Sequence, residues 1–169
     1  VDRWEKEANA KIWLSEDGGK TFEKMLNIQS GAAVGWNFAI DKNENVFVSE
    51  YGYKQLPDNA RRIYRSQDGG YTWEIVYSPK EKNDYHNHRI IIDNQNPDII
   101  YQSVGDWRHH GILKSKDGGD SWTKVISGIH PTGALQFDDY ILWSLDNYPG
   151  PGIAWHDKKT DTIKSIYHL

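Results

Sequence analysis

Three acidic residues are each followed by an aromatic residue at similar points of the sequence, an arrangement that suits chemistry on sugars. Carboxylates hold sugar hydroxyls, aromatic rings cover the apolar face of a sugar ring, and paired carboxylates do the acid–base work of glycoside hydrolysis. We therefore expect the acids to be catalytic candidates and the aromatic residues to bind substrate. The alternative is that recurrent acids merely cap loops in a repeat fold. The segments are Glu50-Tyr51, Asp106-Trp107 and Asp146-Asn147-Tyr148.

Histidines form a second group of candidates. His86 and His88 are two residues apart on a predicted strand, so they point to the same side, and His109 and His110 follow in a loop of the same segment. His88 beside a carboxylate would serve as a general base or a metal ligand, and we add it to the catalytic candidates. The spacing fixes no third ligand, so no metal site or cofactor is predicted. The alternative is that these histidines are partly exposed polar residues of loops.

Arginine side chains are also available for substrate binding, because the guanidinium fork suits an anionic group. Arg89, directly after His88, is the arginine that we place in the candidate site. The other arginines near the predicted strand ends are Arg61, Arg62, Arg65 and Arg108.

A repeated octet shows which elements must position these residues. It reads S-E-D-G-G-K-T-F, S-Q-D-G-G-Y-T-W and S-K-D-G-G-D-S-W, and the copies begin at residues 15, 66 and 115, in steps of 51 and 49 residues. Self-similarity at such a period is typical of a repeat architecture. Because a nucleophilic serine or a catalytic aspartate is needed once rather than three times, the octet is predicted to be structural.

Each octet is predicted to close a β-hairpin. The paired glycines allow positive φ, the aspartate accepts hydrogen bonds from amides in the turn, and the serine hydroxyl ties the end of the strand. The aromatic residue at the eighth position is expected to pack beneath the hairpin as an apolar plug. The residues with these roles are Ser15, Asp17, Gly19 and Phe22, then Ser66, Asp68, Gly70 and Trp73, then Ser115, Asp117, Gly119 and Trp122.

The segments between the octets divide into short β-rich runs separated by Gly, Pro, Asn and Asp, a pattern that predicts antiparallel meanders. Four-stranded meanders repeated at this period predict an all-β fold, a β-propeller. A β-sandwich would not explain the repeated octet. The predicted single partial propeller holds about three and a half to four blades: a blade end at 1–30, blades at 31–80 and 81–128, and a degenerate blade at 129–169.

The amino-acid composition limits the classes of function that the protein can have. A net charge of −4 gives no reason to expect nucleic acid or an anionic membrane as partner, and no apolar run approaches the length of a membrane span. The chain has no cysteine, which excludes disulfides and thiolate metal sites. Aromatic residues make up 13% of the sequence, which suits a β-rich core. The chain begins V-D-R-W without a leader-like segment, and the repeat count favours a piece of a longer protein.

The octet resembles the Asp-box, or BNR repeat, of the sialidase-like β-propellers. That superfamily includes sialidases, xyloglucan-active glucanases, sortilin-type receptors and a photosystem assembly factor, and its boxes lie on the outer rim, away from the active site. The sialidase Arg-Ile-Pro motif is absent, since Arg62-Ile63 continues to Tyr64. The resemblance therefore implies another glycan-directed propeller, extracellular or periplasmic, that binds or hydrolyses a polysaccharide. The alternative is a non-catalytic scaffold for protein interaction or assembly.

Propellers that the octet resembles usually have six or more blades. Too few blades are predicted here to close such a ring. We therefore expect either further blades of the same chain or association of several copies, because a lone half-ring would expose two apolar blade faces.

Overall fold

The computed structural model describes residues 10–28, 31–32, 37–52, 61–79, 87–105, 110–146 and 149–168. In these ranges the regular structure consists of β-strands, without an α-helix. The described part of the chain has no helix that is both long and apolar enough to span a membrane. The all-β prediction is thus confirmed.

The strands are short and follow one another closely. They are β1 Lys11–Leu14, β2 Glu23–Asn27, β3 Gly31–Ala32, β4 Phe38–Ile40, β5 Val46–Ser49, β6 Tyr51–Gly52, β7 Ile63–Ser66, β8 Glu74–Tyr77, β9 Asn87–Ile92, β10 Ile100–Val104, β11 Gly111–Ser115, β12 Thr123–Ser127, β13 Pro131–Gln136, β14 Tyr140–Leu145, β15 Gly152–Asp157 and β16 Thr162–His168.

The described strands form three four-stranded antiparallel sheets and two two-stranded ones. The four-stranded sheets run β4-β5-β7-β8, β9-β10-β11-β12 and β13-β14-β15-β16, while β1 pairs with β2 and β3 with β6. Strand β9 contacts both β4 and β13, so neighbouring sheets meet through their first strands. This is the arrangement of propeller blades, and it confirms the predicted fold. We call the sheet β1-β2 the first blade and the four-stranded sheets the second, third and fourth blades.

Apolar side chains from facing sheets fill the space between blades. Tyr101 and Ile112 of the third blade pack against Ile141 and Trp143 of the fourth. Phe47 and Ile63 of the second blade pack likewise against Ile90 and Ile100 of the third, and Ile12 of the first against Val48 and Tyr64 of the second. Because strand side chains alternate between faces, a blade in the middle of the row has apolar residues on both faces.

The octets form tight turns between the third and fourth strands of a blade. In the second blade Gly69 and Gly70 have φ of 74° and 104°. The amide of Gly70 donates to Ser66 Oγ at 2.8 Å, and the amide of Thr72 donates to Asp68 Oδ1 at 2.8 Å. The Thr72 hydroxyl donates a further hydrogen bond to Asp68 Oδ2, and the hydrogen bonds to this carboxylate, first among them that from the hydroxyl, lower the pKa of Asp68 to about 2. The octets at 15–22 and 115–122 repeat the same bonds.

The eighth residue of the octet behaves differently in the first copy. Trp73 Nε1 donates to Gly70 O at 2.8 Å and Trp122 Nε1 donates to Gly119 O at 2.9 Å, and both rings are partly buried. The Phe22 side chain has no N–H group to donate, and 59% of the residue's surface is exposed. The expectation that Phe22 packs as a plug is therefore wrong.

A buried ionic group joins the third and fourth blades. Lys114 Nζ lies 2.7 Å from Asp161 Oδ1, and the lysine side chain is 4% exposed. The same ammonium lies 5.0 Å from the centre of the Tyr101 ring. His156 is completely buried beside this pair, with Nε2 3.5 Å from Asp161 Oδ1, and its Nδ1 accepts a hydrogen bond from Trp143 Nε1.

His156 makes stability depend on acidity. Burial, assisted by the nearby Lys114 charge, lowers the pKa of His156 from 6.5 to about 4, although Asp161 acts in the opposite direction. As the pH falls, His156 takes up its proton in the unfolded chain at a higher pH than in the folded chain. The folded state therefore keeps its full stability above about pH 6.5 and loses stability as the pH falls towards 4. We expect about 3 kcal/mol of unfolding free energy to disappear across that window. Urea unfolding at pH 7 and pH 4.5 measures it. His156→Gln should flatten the dependence, and an equally steep fall in that variant would contradict the assignment.

Candidate functional site

Two buried histidines meet where the third and fourth blades join. His88 lies on β9, and His130 immediately precedes Pro131, the first residue of β13. Their Nε2 atoms are 3.2 Å apart, and both side chains are at least nine-tenths buried. At this distance one Nε2 donates a hydrogen bond and the other accepts it.

Gly105 fits this pair because it lacks a side chain. It follows β10, the strand that pairs with β9. A Cβ atom at Gly105 would overlap Nε2 of both His88 and His130, so a larger residue would displace one ring or the backbone. The glycine thus sets how closely the two rings approach.

Two further rings complete the group. The Tyr51 ring lies edge-on to His88, with ring centres 5.7 Å apart, and His110 stacks on His130 with ring centres 6.3 Å apart. We name Tyr51, His88, Gly105, His110 and His130 the histidine cluster. Its members come from β6, from the third blade and from the start of the fourth. Such a cluster can donate and accept hydrogen bonds and present ring surfaces to a ligand. Over the ranges that the structure describes, no three His, Cys, Asp or Glu side chains are arranged to hold a metal ion.

Glu50 is fully buried and tied to its own blade. Its Oε1 accepts a hydrogen bond from the Tyr64 hydroxyl at 2.8 Å, and its Oε2 accepts one from the Arg62 amide at 3.0 Å. Burial raises the pKa of Tyr64 to about 12, and the Glu50 charge adds to the rise. The carboxylate therefore links the end of β5 to the start of β7. This position differs from the expected ligand-facing acid and agrees with a loop-capping role.

The other predicted residues divide into three sets. Asp146 is exposed and adjoins the cluster, because its amide donates to His130 O at 3.1 Å. Arg89 neighbours His88 on β9, so its side chain points to the opposite face of the strand, and its amide donates to Ser103 Oγ at 2.9 Å. The remaining candidates lie outside the described residues: His86, Asp106, Trp107, Arg108, His109 and Tyr148.

His130 is the residue that sequence reasoning missed. It occupies the position just before the first strand of its blade, as Asn37 does in the second blade. Residues at the beginning of the first strand join blades elsewhere too: Asn37 Nδ2 donates to Asn87 O at 3.1 Å, and Nδ2 of Asn87, the first residue of β9, donates to Arg61 O at 3.0 Å. Aligning the blades at their first strands, rather than at the octets, would have drawn attention to His130.

The blades are antiparallel, meet through their first strands and carry the octet turns between their third and fourth strands. These features define the protein as a β-propeller. The family model described as Sortilin, neurotensin receptor 3 matches residues 10–140. The chain therefore belongs to the Sortilin-Vps10 family.

Individual proteins are similar to the chain over most of its length. A xyloglucanase from Paenibacillus sp. is 26% identical over 133 residues, which is 75% of this chain and 12% of that enzyme. The crystal structure of the GH74 xyloglucanase from Xanthomonas campestris has a TM-score of 0.70 at 20% identity, covering 95% of this chain and 27% of the other. A chain of the nidogen/laminin complex has a TM-score of 0.61 at 17% identity, covering 88% and 53%. The chain thus spans only part of the length of each.

Proposed function

We propose that this chain is part of a glycan-directed propeller that binds or hydrolyses a polysaccharide. Xyloglucan is the substrate class that we favour, because xyloglucanases are similar to the chain both in sequence and in fold. The proposal includes the identification of the three octets as Asp-boxes and a location outside the cell or in the periplasm.

The observation that carries the proposal is the convergence of the histidine cluster and Asp146. Imidazole nitrogens and carboxylates are groups that hold sugar hydroxyls. The exposed residue Asp146 adjoins the cluster through its backbone amide, and Tyr51 supplies a ring surface next to His88. The arrangement lies at the junction of two blades, where strand ends from both contribute. A few polar groups that converge on one point are typical of ligand sites.

Binding is the step to which the described residues contribute most directly. Hydrolysis requires two carboxyl groups on either side of the scissile bond. Glu50 is buried and tied to Tyr64, so the hydrolytic form of the proposal assigns the acids to Asp146 and Asp106. Asp106 enters on its sequence position alone, with Trp107 and Tyr148 as substrate-binding candidates. Arg89 is left out of the proposed site because its side chain lies on the opposite face of β9 from His88.

Calorimetric titration with xyloglucan oligosaccharides tests the proposal. His130→Ala removes one ring of the pair and is expected to weaken binding at least tenfold, because a buried hydrogen-bonding group and its packing are lost together. His168→Gln is the matched control, since His168 is exposed at the end of the outermost strand β16, and binding should not change. Equal affinities for His130→Ala and the unmodified chain would count against the cluster as the site.

The second candidate is a propeller that binds protein rather than glycan. The family match to Sortilin, neurotensin receptor 3 and the similarity to a chain of the nidogen/laminin complex favour it. In that case the buried acids are loop caps, as Glu50 is, and exposed aromatic residues meet the partner. An array of immobilised glycans separates the two candidates, because the protein-binding propeller gives no signal on any glycan.

A further inference from the structure

The nitrogens of the buried histidine pair are as far apart as two ligands of one metal ion. Nε2 of His88 and Nε2 of His130 are separated by 3.2 Å. Two imidazole nitrogens that bind one tetrahedral zinc ion, each at about 2.05 Å, are about 3.3 Å apart. The pair therefore already has the spacing that a shared metal ion requires.

The two rings are also bent relative to each other. Their centres are 5.0 Å apart and their planes are inclined at 67°. A straight N–H···N hydrogen bond of the observed length would hold the centres about 5.5 Å apart, because each ring centre lies about 1.1 Å behind its nitrogen. The hydrogen bond between the rings is therefore bent. A bent arrangement weakens a hydrogen bond but suits two nitrogen lone pairs that meet at a third atom.

The surroundings hold the rings in this arrangement. Gly105 lies so close that a Cβ atom there would overlap both Nε2 atoms. His130 is 2% exposed and has the His110 ring stacked on it, while Tyr51 packs edge-on against His88. Side chains that are already fixed lose little conformational freedom when they bind a ligand, and binding is stronger for that reason.

Another buried histidine shows what a metal ligand needs. His156 is fully buried, and its Nδ1 accepts a hydrogen bond from Trp143 Nε1 at 3.2 Å. Its Nε2 faces Asp161 Oδ1 at 3.5 Å. The indole N–H thus occupies one lone pair of the His156 ring, and the other nitrogen faces a carboxylate. His156 is therefore a natural control: a buried imidazole that is engaged elsewhere.

The donor atoms indicate the kind of metal. Imidazole nitrogen suits zinc, copper and nickel, whereas calcium and magnesium prefer oxygen ligands. Within the described ranges no group of three His, Cys, Asp or Glu side chains is placed to hold an ion, so the pair supplies two ligands. Water or a ligand oxygen fills the remaining positions, as in catalytic zinc sites, which keep a position open. Asp146, whose amide donates to His130 O at 3.1 Å, brings a negative charge to the same junction.

We propose that His88 and His130 together bind Zn²⁺ or a related divalent transition-metal ion through their Nε2 atoms. The ring that donates the present hydrogen bond gives up its Nε2 proton, because only an unprotonated nitrogen offers a lone pair to the metal. The bound ion presents its open positions to water or to a ligand oxygen at the junction of the third and fourth blades.

Calorimetric titration with zinc chloride, in the absence of oligosaccharide, tests the proposal. The unmodified chain is expected to bind zinc, and His130→Gln should raise the dissociation constant at least tenfold because one of the two protein ligands is lost. His168→Gln, at an exposed position on the outermost strand, should leave the dissociation constant unchanged. Equal affinities of His130→Gln and the unmodified chain would overturn the proposal.

Long-range proton–nitrogen NMR spectra give a second measurement that needs no substitution in the pair. Zinc is expected to shift Nε2 of His88 and Nε2 of His130 over the same range of concentration, while His156 keeps its signals. Gly105→Ala separates the rings and should abolish the joint shift, whereas Gly128→Ala should preserve it. A shift confined to one ring of the pair, or to neither ring at saturating zinc, would contradict binding by both.

The metal site and the proposed glycan site fail independently. The oligosaccharide titrations are carried out with a chelator present, and the zinc titrations are carried out without oligosaccharide. Zinc binding by a chain that binds no oligosaccharide supports the metal site alone. Oligosaccharide binding by a chain that binds no zinc refutes the metal site and leaves the glycan proposal standing.

Discussion

Replacing Lys114 with alanine is expected to lower the free energy of unfolding by about 3 kcal/mol, because it leaves the Asp161 carboxylate, which is only 18% exposed, without its cation. The ammonium also contacts the Tyr101 ring, which loses that neighbour. The pKa of His156 should rise in the same variant, since Lys114 is one of the charges that lower it. Urea unfolding at neutral pH measures the first effect, and titration of the His156 ring by NMR measures the second.

Two matched variants show whether the Lys114–Asp161 ion pair causes this loss of stability. Lys116→Ala changes an exposed lysine two residues away and should alter stability by no more than about 0.5 kcal/mol. The double variant Lys114→Met with Asp161→Asn removes both charges and should be less destabilised than Lys114→Ala, because no unpaired charge is left buried. The account of this junction is contradicted if Lys114→Ala and Lys116→Ala are equally stable.

Gly105→Ala is expected to abolish most ligand binding with a smaller effect on stability. The added methyl group would overlap both Nε2 atoms of the His88–His130 pair, so the rings must separate. We expect xyloglucan oligosaccharides to bind at least tenfold more weakly, and the overpacking to destabilise the fold by about 1–3 kcal/mol. Calorimetric titration and urea unfolding give the two quantities.

Gly128→Ala is the control for backbone strain. Gly128 has a φ of 82°, and a Cβ there would meet nothing within 4 Å, so the substitution adds strain without contact. It should cost about 1–2 kcal/mol of stability and leave binding unchanged. If Gly105→Ala bound oligosaccharide as tightly as Gly128→Ala, the geometry of the histidine pair would have no part in binding.

The fold was predictable because its signal is local. The hydrogen bonds of an octet join residues at most four positions apart, such as Gly119 to Ser115. The eight residues of the octet are therefore sufficient to predict the turn. The strands between turns are short and rich in β-branched and aromatic residues, and they form consecutive antiparallel pairs. Even the fourth blade, which lacks the glycines, keeps an Asp-based turn: Asp157 Oδ1 accepts hydrogen bonds from the amides of Lys159 and Thr160.

The candidate site was less predictable because it depends on contacts between blades. His88 and His130 are 42 residues apart in sequence, and no local pattern links them. The direction of Glu50 depends on the Tyr64 hydroxyl of a neighbouring strand, which the run V-S-E-Y-G does not reveal. Phe22 shows the same limit, since its octet predicts the turn but not the exposure of its ring.

The most direct measurement of the central claim is the NMR response of the histidine ring nitrogens to a xyloglucan oligosaccharide. Long-range proton–nitrogen spectra report the tautomer and hydrogen bonding of each imidazole. Ligand is expected to shift the signals of His88 and His130, while His156, buried between the third and fourth blades, and His168, on the outermost strand, keep theirs. Unchanged signals from His88 and His130 at saturating oligosaccharide would contradict the assignment of a glycan site to this junction.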